Sequence, residues 1–518
     1  MNMKAILLVI FGWCAIAGSA ARASRPLDNN GAPECRALGS VDFSGIQDAP
    51  TMVTQANLVE PSGEVPAYCQ VEGYVSSSVG FRLLLPLSNW NHKFLERGCG
   101  GDCGSSSKED ALNLCSDPLQ RGYACIISDM GHKGWGGLWA YNNLQAQVDF
   151  GYRGAHVTAL AGKAITAYFY ANAPKYAYFT GCSTGGRQAL VEAQRFPWDF
   201  DGIVAGAPWI SDSDSTMQYV WNDVVLSKKD GTPLLSREDL ELVHDAALRK
   251  CDMDDGVKDG VIGNPLACKF DPGELVCKSE KNAKCITRAQ ADAVKKVYSG
   301  PTTSEGKKLY TGGSPIGSEL DWVGVSLSKG NSWAIPYFRY EVIPPAGPDW
   351  QESDFNFDHD YKRFDDGVQE SLLNAANPDL RKFKSDGAKL ILFQGGMDPD
   401  VVPANTIDYY QTVEKTMGGR AATQEFFRLF IVPGMEHCSG GPGAFAIDYL
   451  SYLENWVEHG QAPDLMLGAH VEGPVVSFPL SRNDHVLFTR PVYPYPLQAK
   501  YKGSGDPNDA SSFWSVEP

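Results

Sequence analysis

The chain is short of four things, and each shortage closes a class of function. Beyond its N-terminus it has no apolar run approaching the roughly 20 residues that a membrane helix requires, so no membrane partner is expected. It has no basic excess: 45 Lys and Arg stand against 62 Asp and Glu, a formal charge of −17. Such a surface repels nucleic acid and anionic membranes. Its 13 cysteines form no paired C-x-x-C sites, which argues against zinc. It has no low-complexity blocks or obvious repeats. What remains is 518 residues of ordinary globular composition, 43% hydrophobic and 21% charged, enough for a large core and two domains. The expected substrate is small and neutral, or carried on a polysaccharide.

The N-terminus reads MNMKAILLVIFGWCAIAGSAARA. Lys4 supplies the positive end, Ala5 to Ala17 the apolar segment, and Ala21-Arg22-Ala23 a small-x-small cleavage site. Residues 1–23 are therefore expected to be a secretory signal cut before Ser24, placing the protein in the periplasm or outside the cell. Losing Lys4 and Arg22 takes the formal charge to about −19. Losing Cys14 leaves an even set of cysteines, which in an exported protein favours disulfides.

From Gly80 to Ile210 the rhythm is strand, turn, helix. FRLLLPL (Phe81 to Leu87), KFLERG (Lys93 to Gly98), YACIISD (Tyr123 to Asp129), YAYFT (Tyr176 to Thr180) and FDGIVAGAP read as strands. HVTALAGKAITAYFY (His156 to Tyr170) has helical spacing, and a second helix is expected from Ser183 to about Phe196. AKLILFQGG (Ala388 to Gly396) and FFRLFIVPG (Phe426 to Gly434) resume the strands, and AIDYLSYLENWVEHG (Ala446 to Gly460) follows as a helix. Alternation of this kind predicts an α/β fold, an α/β-hydrolase sheet domain. Between the blocks the rhythm is lost, and Gly, Pro, Ser and Asp become frequent. The expected organisation is a catalytic domain over 24–210 and 386–518, with a lid domain over 211–385 inserted into it.

Gly181-Cys182-Ser183-Thr184-Gly185 lies between an apolar strand and a helix, the pattern of a nucleophile elbow. Its glycines permit a tight turn that lifts the Ser183 hydroxyl clear, and the Thr184 amide after it can face an oxyanion. A serine needs a base and the base an orienting acid, in chain order Ser, Asp or Glu, His, each after a strand. Asp398 follows the strand ending in Gly396, and His437 follows the strand ending in Gly434. Asp400 is the rival acid. Of the nine histidines, His437 alone follows a late apolar strand and a glycine turn. His92, His156, His244, His359, His459, His470 and His485 read as surface or structural, and His132 as a pocket residue.

Cys182 precedes the serine and Cys438 follows the histidine. If Ser183 and His437 meet, these neighbours fall within the ~6 Å Cα separation of a disulfide. Such a bridge closes a loop of roughly 250 residues, worth on the order of 5 kcal/mol in the chain-entropy model.

Cys182-Ser183, Asp398 and His437-Cys438 resemble the CS-D-HC pattern of the tannase and feruloyl esterase family. The likeness extends through AYCQVEG (Ala67 to Gly73), WNHKFLERGCGG (Trp90 to Gly101), SDMGHKG, PWDFDGIVAGAP and WVEHGQAPD. It implies a secreted α/β-hydrolase with a large lid that cleaves esters of aromatic acids such as gallate or ferulate. One relative acts on the mono-ester from polyester breakdown. The chain departs from the family in RPVYPYP (Arg490 to Pro496), which has no cysteine, and in the glycine loop Gly98-Cys99-Gly100-Gly101-Asp102-Cys103. Cys115 and Cys125 lie nearby, so two extra bridges are expected to brace this loop, with the pairing of the four cysteines left open. Gly101 is the expected second oxyanion donor. Cys35, Cys69, Cys251, Cys268, Cys277 and Cys285 complete the expected disulfide residues.

CDMDDGVKDGVIGNP (Cys251 to Pro265) crowds four aspartates together, yet has no glutamate at the twelfth position of an EF-hand. Composition leaves a calcium loop and a solvated acidic turn equally open. The resemblance implies structural Ca2+, held by the side chains of Asp252, Asp255 and Asp259 and the carbonyls of Val257 and Val261, with Asp254 left out. No organic cofactor is expected.

The expected function is thus a secreted serine esterase acting on esters of hydroxycinnamic or gallic acids through an acyl-enzyme, as a feruloyl esterase. The alternatives are a tannase or a terephthalate mono-ester hydrolase. The partner is a small aromatic ester or an ester-decorated plant polysaccharide. WAIPYFRY (Trp333 to Tyr340) is either a wall of the pocket or lid core. An alternative of another class is a non-catalytic wall-binding protein on a hydrolase scaffold. An intact Ser-Asp-His set argues against it, and turnover of a chromogenic ester separates the two.

Overall fold

Nine strands hydrogen-bond into one sheet in the order β1-β2-β3-β5-β4-β6-β7-β8-β9. The computed structural model describes residues 32–322, 333–362, 368–473 and 485–518; the expected export signal lies outside them. β1 (Thr51–Val59), β2 (Tyr68–Val75) and β3 (Val79–Pro86) form an antiparallel meander at one edge. β3 then pairs antiparallel with β5 (Ala124–Ser128). From β5 onward every pairing is parallel, through β4 (Lys93–Arg97), β6 (Tyr176–Cys182), β7 (Gly202–Gly206), β8 (Lys389–Gly395) and β9 (Phe427–Val432). Among known architectures this is the α/β-hydrolase fold.

The short apolar runs are buried on both faces because successive side chains of a strand point to opposite sides. Phe94, Ala124, Ile126, Phe179, Ile203, Leu390 and Leu392 join one core. Their sequence neighbours Leu95, Cys125, Ile127, Tyr178, Val204, Ile391 and Phe393 join another. Helices Gly154–Phe169 and Thr184–Arg195 cover the first face. Helices Lys108–Gln120 and Tyr449–His459 cover the second.

Every strand read from the alternating rhythm is present. The last helix starts at Tyr449 rather than Ala446. Ala446 is committed to Ala469 by two backbone hydrogen bonds of 2.9 and 3.0 Å, and the Asp448 side chain caps the helix by accepting from the Ser451 amide. Strands β1 and β2, the hairpin of β10 (Met466–Val471) and β11 (Val486–Val492), and the pair β12 (Gln498–Tyr501) and β13 (Phe513–Val516) were not expected from the sequence.

Between Gly206 and Lys389 the described residues add no strand to the nine-stranded sheet. Helices Asp212–Leu226, Arg237–Cys251 and Arg288–Ser299 gather there around a separate core that includes Leu226, Leu240, Val243, Val294 and Trp322. Cys251–Cys268 and Cys277–Cys285 pair within this segment. Further on, Ala334, Phe338, Leu373 and Phe383 return to the first sheet core. The parallel strands aim their C-terminal ends at this inserted segment, and in α/β sheets that is where ligands bind.

Candidate active site

Ser183 stands directly after β6, with φ 62° and ψ −122°, a conformation that side-chain-bearing residues rarely adopt. The surroundings hold it there. Its N–H donates to the Gly206 carbonyl at 3.0 Å, and its carbonyl accepts from the amides of Arg187 (3.0 Å) and Trp209 (3.2 Å). The turn is so tight that a Cβ on Gly181 would lie 2.5 Å from the Gly185 carbonyl oxygen, which explains the first glycine of the motif. Arg187, one turn into the helix, is fully buried and donates to the carbonyls of Leu373 and Phe150. The sequence reading missed this anchor, because a lone arginine in an amphipathic helix reads as surface.

Asp398 and His437 come from the loops after β8 and β9. His437 Nδ1 and Asp398 Oδ2 are 2.9 Å apart. Asp398 is fully buried, and each of its oxygens is occupied. Oδ1 accepts from the amides of Asp400 and Val401, each at 2.9 Å. Oδ2 also accepts from Gln394 Nε2 at 2.9 Å. Burial pulls the His437 pKa down, but the charge of Asp398, its hydrogen bond and then Asp400 outweigh that and push it up to about 9. Burial, followed by the charge of Asp398, pushes Asp400 up to about 6.

Cys182 and Cys438 form a disulfide with their Cα atoms 5.9 Å apart, so the residue beside Ser183 is covalently tied to the residue beside His437. Cys35 pairs with Cys69. Of the four cysteines left open, Cys99 pairs with Cys103 and Cys115 with Cys125. Only the first of these bridges closes the glycine loop. The second fastens helix Lys108–Gln120 to β5, correcting the expectation that both would brace the loop.

Losing the Cys182–Cys438 bridge is expected to lower kcat by about 100-fold, since a ~1 Å displacement of a catalytic group costs about that much. Stability should fall as well. Cys182→Ala, Cys438→Ala and the double variant should be nearly equally impaired, because each removes the same bridge. Rates and melting curves of the three variants check this; additive single effects would separate the two cysteines.

A cavity of about 830 Å³ opens over Ser183, and Thr184, Gly101, Asp400 and His437 line it too. Within the glycine loop the amides of Gly98, Cys99 and Cys103 donate to Thr180, Gln188 and Gly100 respectively, while those of Gly100, Gly101 and Asp102 are not among the bonded amides, so Gly101 is one of three that could serve an oxyanion. Gly101 has φ +57°, and a Cβ there would sit 2.7 Å from the Trp135 ring and 3.0 Å from Trp333. Trp135 and Trp333 pack against each other at a tilt of 43°, with 5.5 Å between ring centroids. Within WAIPYFRY, Trp333 and Tyr337 line the cavity while Ala334 and Phe338 are buried in core, so the segment serves both purposes. His132 is not a lining residue. It stacks on Trp139 at 3.8 Å, and its Nε2 lies 2.7 Å from the Asp102 carbonyl. Burial pulls its pKa down to about 4.

In the acidic loop, Asp252, Val257 and Val261 are buried and Asp254 is exposed. Asp252 Oδ1 accepts from the amides of Asp259 and Gly260, and Asp259 pairs with Arg490 at 2.6 Å. Asp255 is pushed up to about 6 by burial, with Asp259 and Asp252 adding to the rise. Carboxylates and the carbonyls of Val257 and Val261 are of the kind that a hard cation takes, but among the described residues the carboxylates of Asp252, Asp255 and Asp259 are not gathered within metal-ligand reach of one another, and Asp259 is already paired with Arg490. The loop is distant from the triad in sequence but near it in space: a Cβ on Gly434 would lie 2.8 Å from Val261 Cγ1.

The family profile described as tannase and feruloyl esterase matches residues 63–516. A probable feruloyl esterase of Arthroderma benhamiae is 34% identical, with 85% of this chain and 83% of that protein covered. The mono(2-hydroxyethyl) terephthalate hydrolase of Piscinibacter sakaiensis is 33% identical, over 88% of this chain and 85% of that one. The crystal structure of feruloyl esterase B from Aspergillus oryzae, 27% identical, matches with a TM-score of 0.83 over 94% of this chain and 100% of that one. The chain belongs to the tannase and feruloyl esterase family and is a carboxylic ester hydrolase.

Proposed function

We propose that the protein hydrolyses esters of aromatic acids through Ser183, His437 and Asp398. The observation that carries this reading is the convergence of three strand ends on one cavity: a strained serine, a histidine bonded to a buried aspartate, and a disulfide joining serine and histidine neighbours. His437 keeps its Nδ1 proton on Asp398 and takes the Ser183 proton at Nε2. The alkoxide attacks the ester carbonyl, and the amides of Thr184 and Gly101 receive the oxyanion. His437 returns the proton to the leaving alcohol and then activates the water that releases the acid. Trp135 and Trp333, packed on each other at the rim of the cavity, offer an aromatic wall to a planar acyl group. The segment 211–385 acts as the lid over this cavity.

We further assign the chain to the exported proteins, on the strength of six disulfides and the N-terminal pattern. No helix among the described residues is long and apolar enough to cross a membrane.

The test is turnover of methyl ferulate together with labelling by a phosphonate ester. Hydrolysis and a single adduct on the peptide containing Ser183 are expected. A label elsewhere, with turnover lost in parallel, would overturn the assignment.

To hold Ca2+, the side chains of Asp252, Asp255 and Asp259 would have to close on it together with the carbonyls of Val257 and Val261, and its contribution would be to neutralise these carboxylates. Because Val261 packs against Gly434, the loop steadies the turn that leads to His437. Chelation is therefore expected to lower the melting temperature clearly while reducing the initial rate at room temperature less. An unchanged melting curve would favour the solvated-turn reading.

A further inference from the structure

Gln188 lies on helix Thr184–Arg195, five positions after Ser183, and is only 2% exposed. Its side chain reaches out of the helix to the glycine loop. Oε1 accepts from the Cys99 amide at 3.3 Å. Nε2 donates to both sulfurs of the Cys99–Cys103 disulfide, at 3.2 Å to Cys99 Sγ and 3.4 Å to Cys103 Sγ. The two segments meet backbone to backbone. A Cβ on Gly98 would lie 2.8 Å from Gly185 Cα and 2.9 Å from Gln188 Oε1, and one on Gly185 would lie 3.1 Å from the Cys99 carbonyl oxygen. Past the cavity-lining amides, Asp102 Oδ2 accepts from the Gly136 amide at 2.7 Å.

One buried side chain thus stands between the two halves of the oxyanion site. The Thr184 amide is the first of its helix, where amides have no partner within the helix. The amides of Gly100, Gly101 and Asp102 lie inside the loop that the disulfide closes, and all three residues line the cavity with Ser183. Three of the five residues from Gly98 to Asp102 are glycines, which have the widest backbone freedom of any residue. Oxyanion donors stabilise the transition state only when they are in place before the charge develops. The disulfide closes this loop on itself, and the Gly98 amide ties its start to Thr180 on β6. Among the described residues, the hydrogen bonds that join the loop to the nucleophile's own helix all come from Gln188.

We propose that Gln188 is a positioning residue for the oxyanion site, holding the Cys99–Cys103 loop at the distance and tilt from the Thr184 amide that a tetrahedral intermediate requires. This rests on the reading of Ser183 as the nucleophile and deepens it. A planar amide that bonds through both its oxygen and its nitrogen fixes orientation as well as separation. The Cys182–Cys438 bridge sets the base against the nucleophile, and Gln188 sets the loop donors against it. Both polar atoms of Gln188 face the loop and neither is spent on the acyl group. Its loss therefore falls on the transition state rather than on the bound ester.

The test uses the full-length enzyme, methyl ferulate as substrate, free ferulate as a ground-state ligand, and phenylboronic acid, which forms a tetrahedral adduct with a reactive serine. Gln188→Met removes both bonds at nearly the same volume. It is expected to lower kcat by about 10- to 100-fold while KM changes by less than about threefold. Affinity for phenylboronic acid should fall by a factor similar to kcat, and inhibition by ferulate should stay as it is. Gln188→Asn, one methylene too short to reach the amide and the sulfurs together, should behave in the same way and carries the test if the Met variant does not fold. Unchanged kcat in either variant with native circular dichroism overturns the proposal. So does a rise in KM with boronate and ferulate weakened equally, which would make Gln188 a packing or substrate-binding residue. These outcomes leave the nucleophile standing. Absence of both ester turnover and a boronate adduct in the unmodified enzyme sinks the reading of Ser183 and the positioning role with it.

Discussion

Ser183→Ala is expected to lower the turnover of methyl ferulate by on the order of 10⁶-fold, the scale seen when a hydrolase loses its nucleophile. The far-UV circular dichroism should not change. The fold uses Ser183 through its backbone: the amide goes to Gly206, and the carbonyl receives Arg187 and Trp209. Alanine keeps all three bonds and meets the same strain at φ 62°. The hydroxyl alone is removed. Substantial activity in a natively folded Ser183→Ala would show that another group attacks the ester, and the strained turn would then need a different explanation.

The parts of this molecule legible in the sequence are those fixed by local rules. The parallel strands are short apolar runs, and the two-faced burial of β5, β7 and β8 follows from that composition. The elbow is legible because a tight turn excludes a side chain at Gly181. Asp398, His437 and the Cys182–Cys438 pair could be connected because each follows a strand end, and the ends of neighbouring parallel strands must meet. What was not legible depends on contacts between distant segments. His132 follows a strand just as the triad residues do, yet the ring of Trp139 covers it and places it behind the wall. The acidic loop is more than 170 residues before His437 in the chain, and only the folded packing of Val261 on Gly434 shows that the two are neighbours. Gln188 looks like any polar residue of a surface helix until burial and its bonds to Cys99 set it apart.

Asp398→Asn is expected to lower kcat by about 10⁴-fold, and Asp400→Asn by no more than about tenfold, although the two carboxylates are two positions apart. The difference lies in the hydrogen bonds. Asp398 Oδ2 receives two donors, His437 Nδ1 and Gln394 Nε2, while Oδ1 receives the amides of Asp400 and Val401. In the asparagine variant the amide oxygen can keep the two backbone donors, so the new NH2 faces His437 and Gln394. Gln394 cannot simply turn over, because its Oε1 accepts from Thr406 at 2.8 Å. His437 must then accept at Nδ1 and carry its proton on Nε2, the nitrogen that should take the proton from Ser183. Asp400 acts on His437 by charge, and it is itself pushed up to about 6. Its replacement therefore removes a modest push on His437 and no directed bond to it; the side-chain bond it does disturb is the one to Tyr219. The pH profiles should separate the same way. His437 must be unprotonated to act as base, and with its pKa pushed up to about 9, kcat/KM should rise with pH towards that value and fall away below it. Removing the Asp398 charge takes away the largest upward cause, so the residual activity of Asp398→Asn should reach its plateau at lower pH. Asp400→Asn should move the profile in the same direction by less. If Asp400→Asn proves the more damaged enzyme, or if its profile moves further, then Asp400 orients the base and Asp398 is the buried bystander.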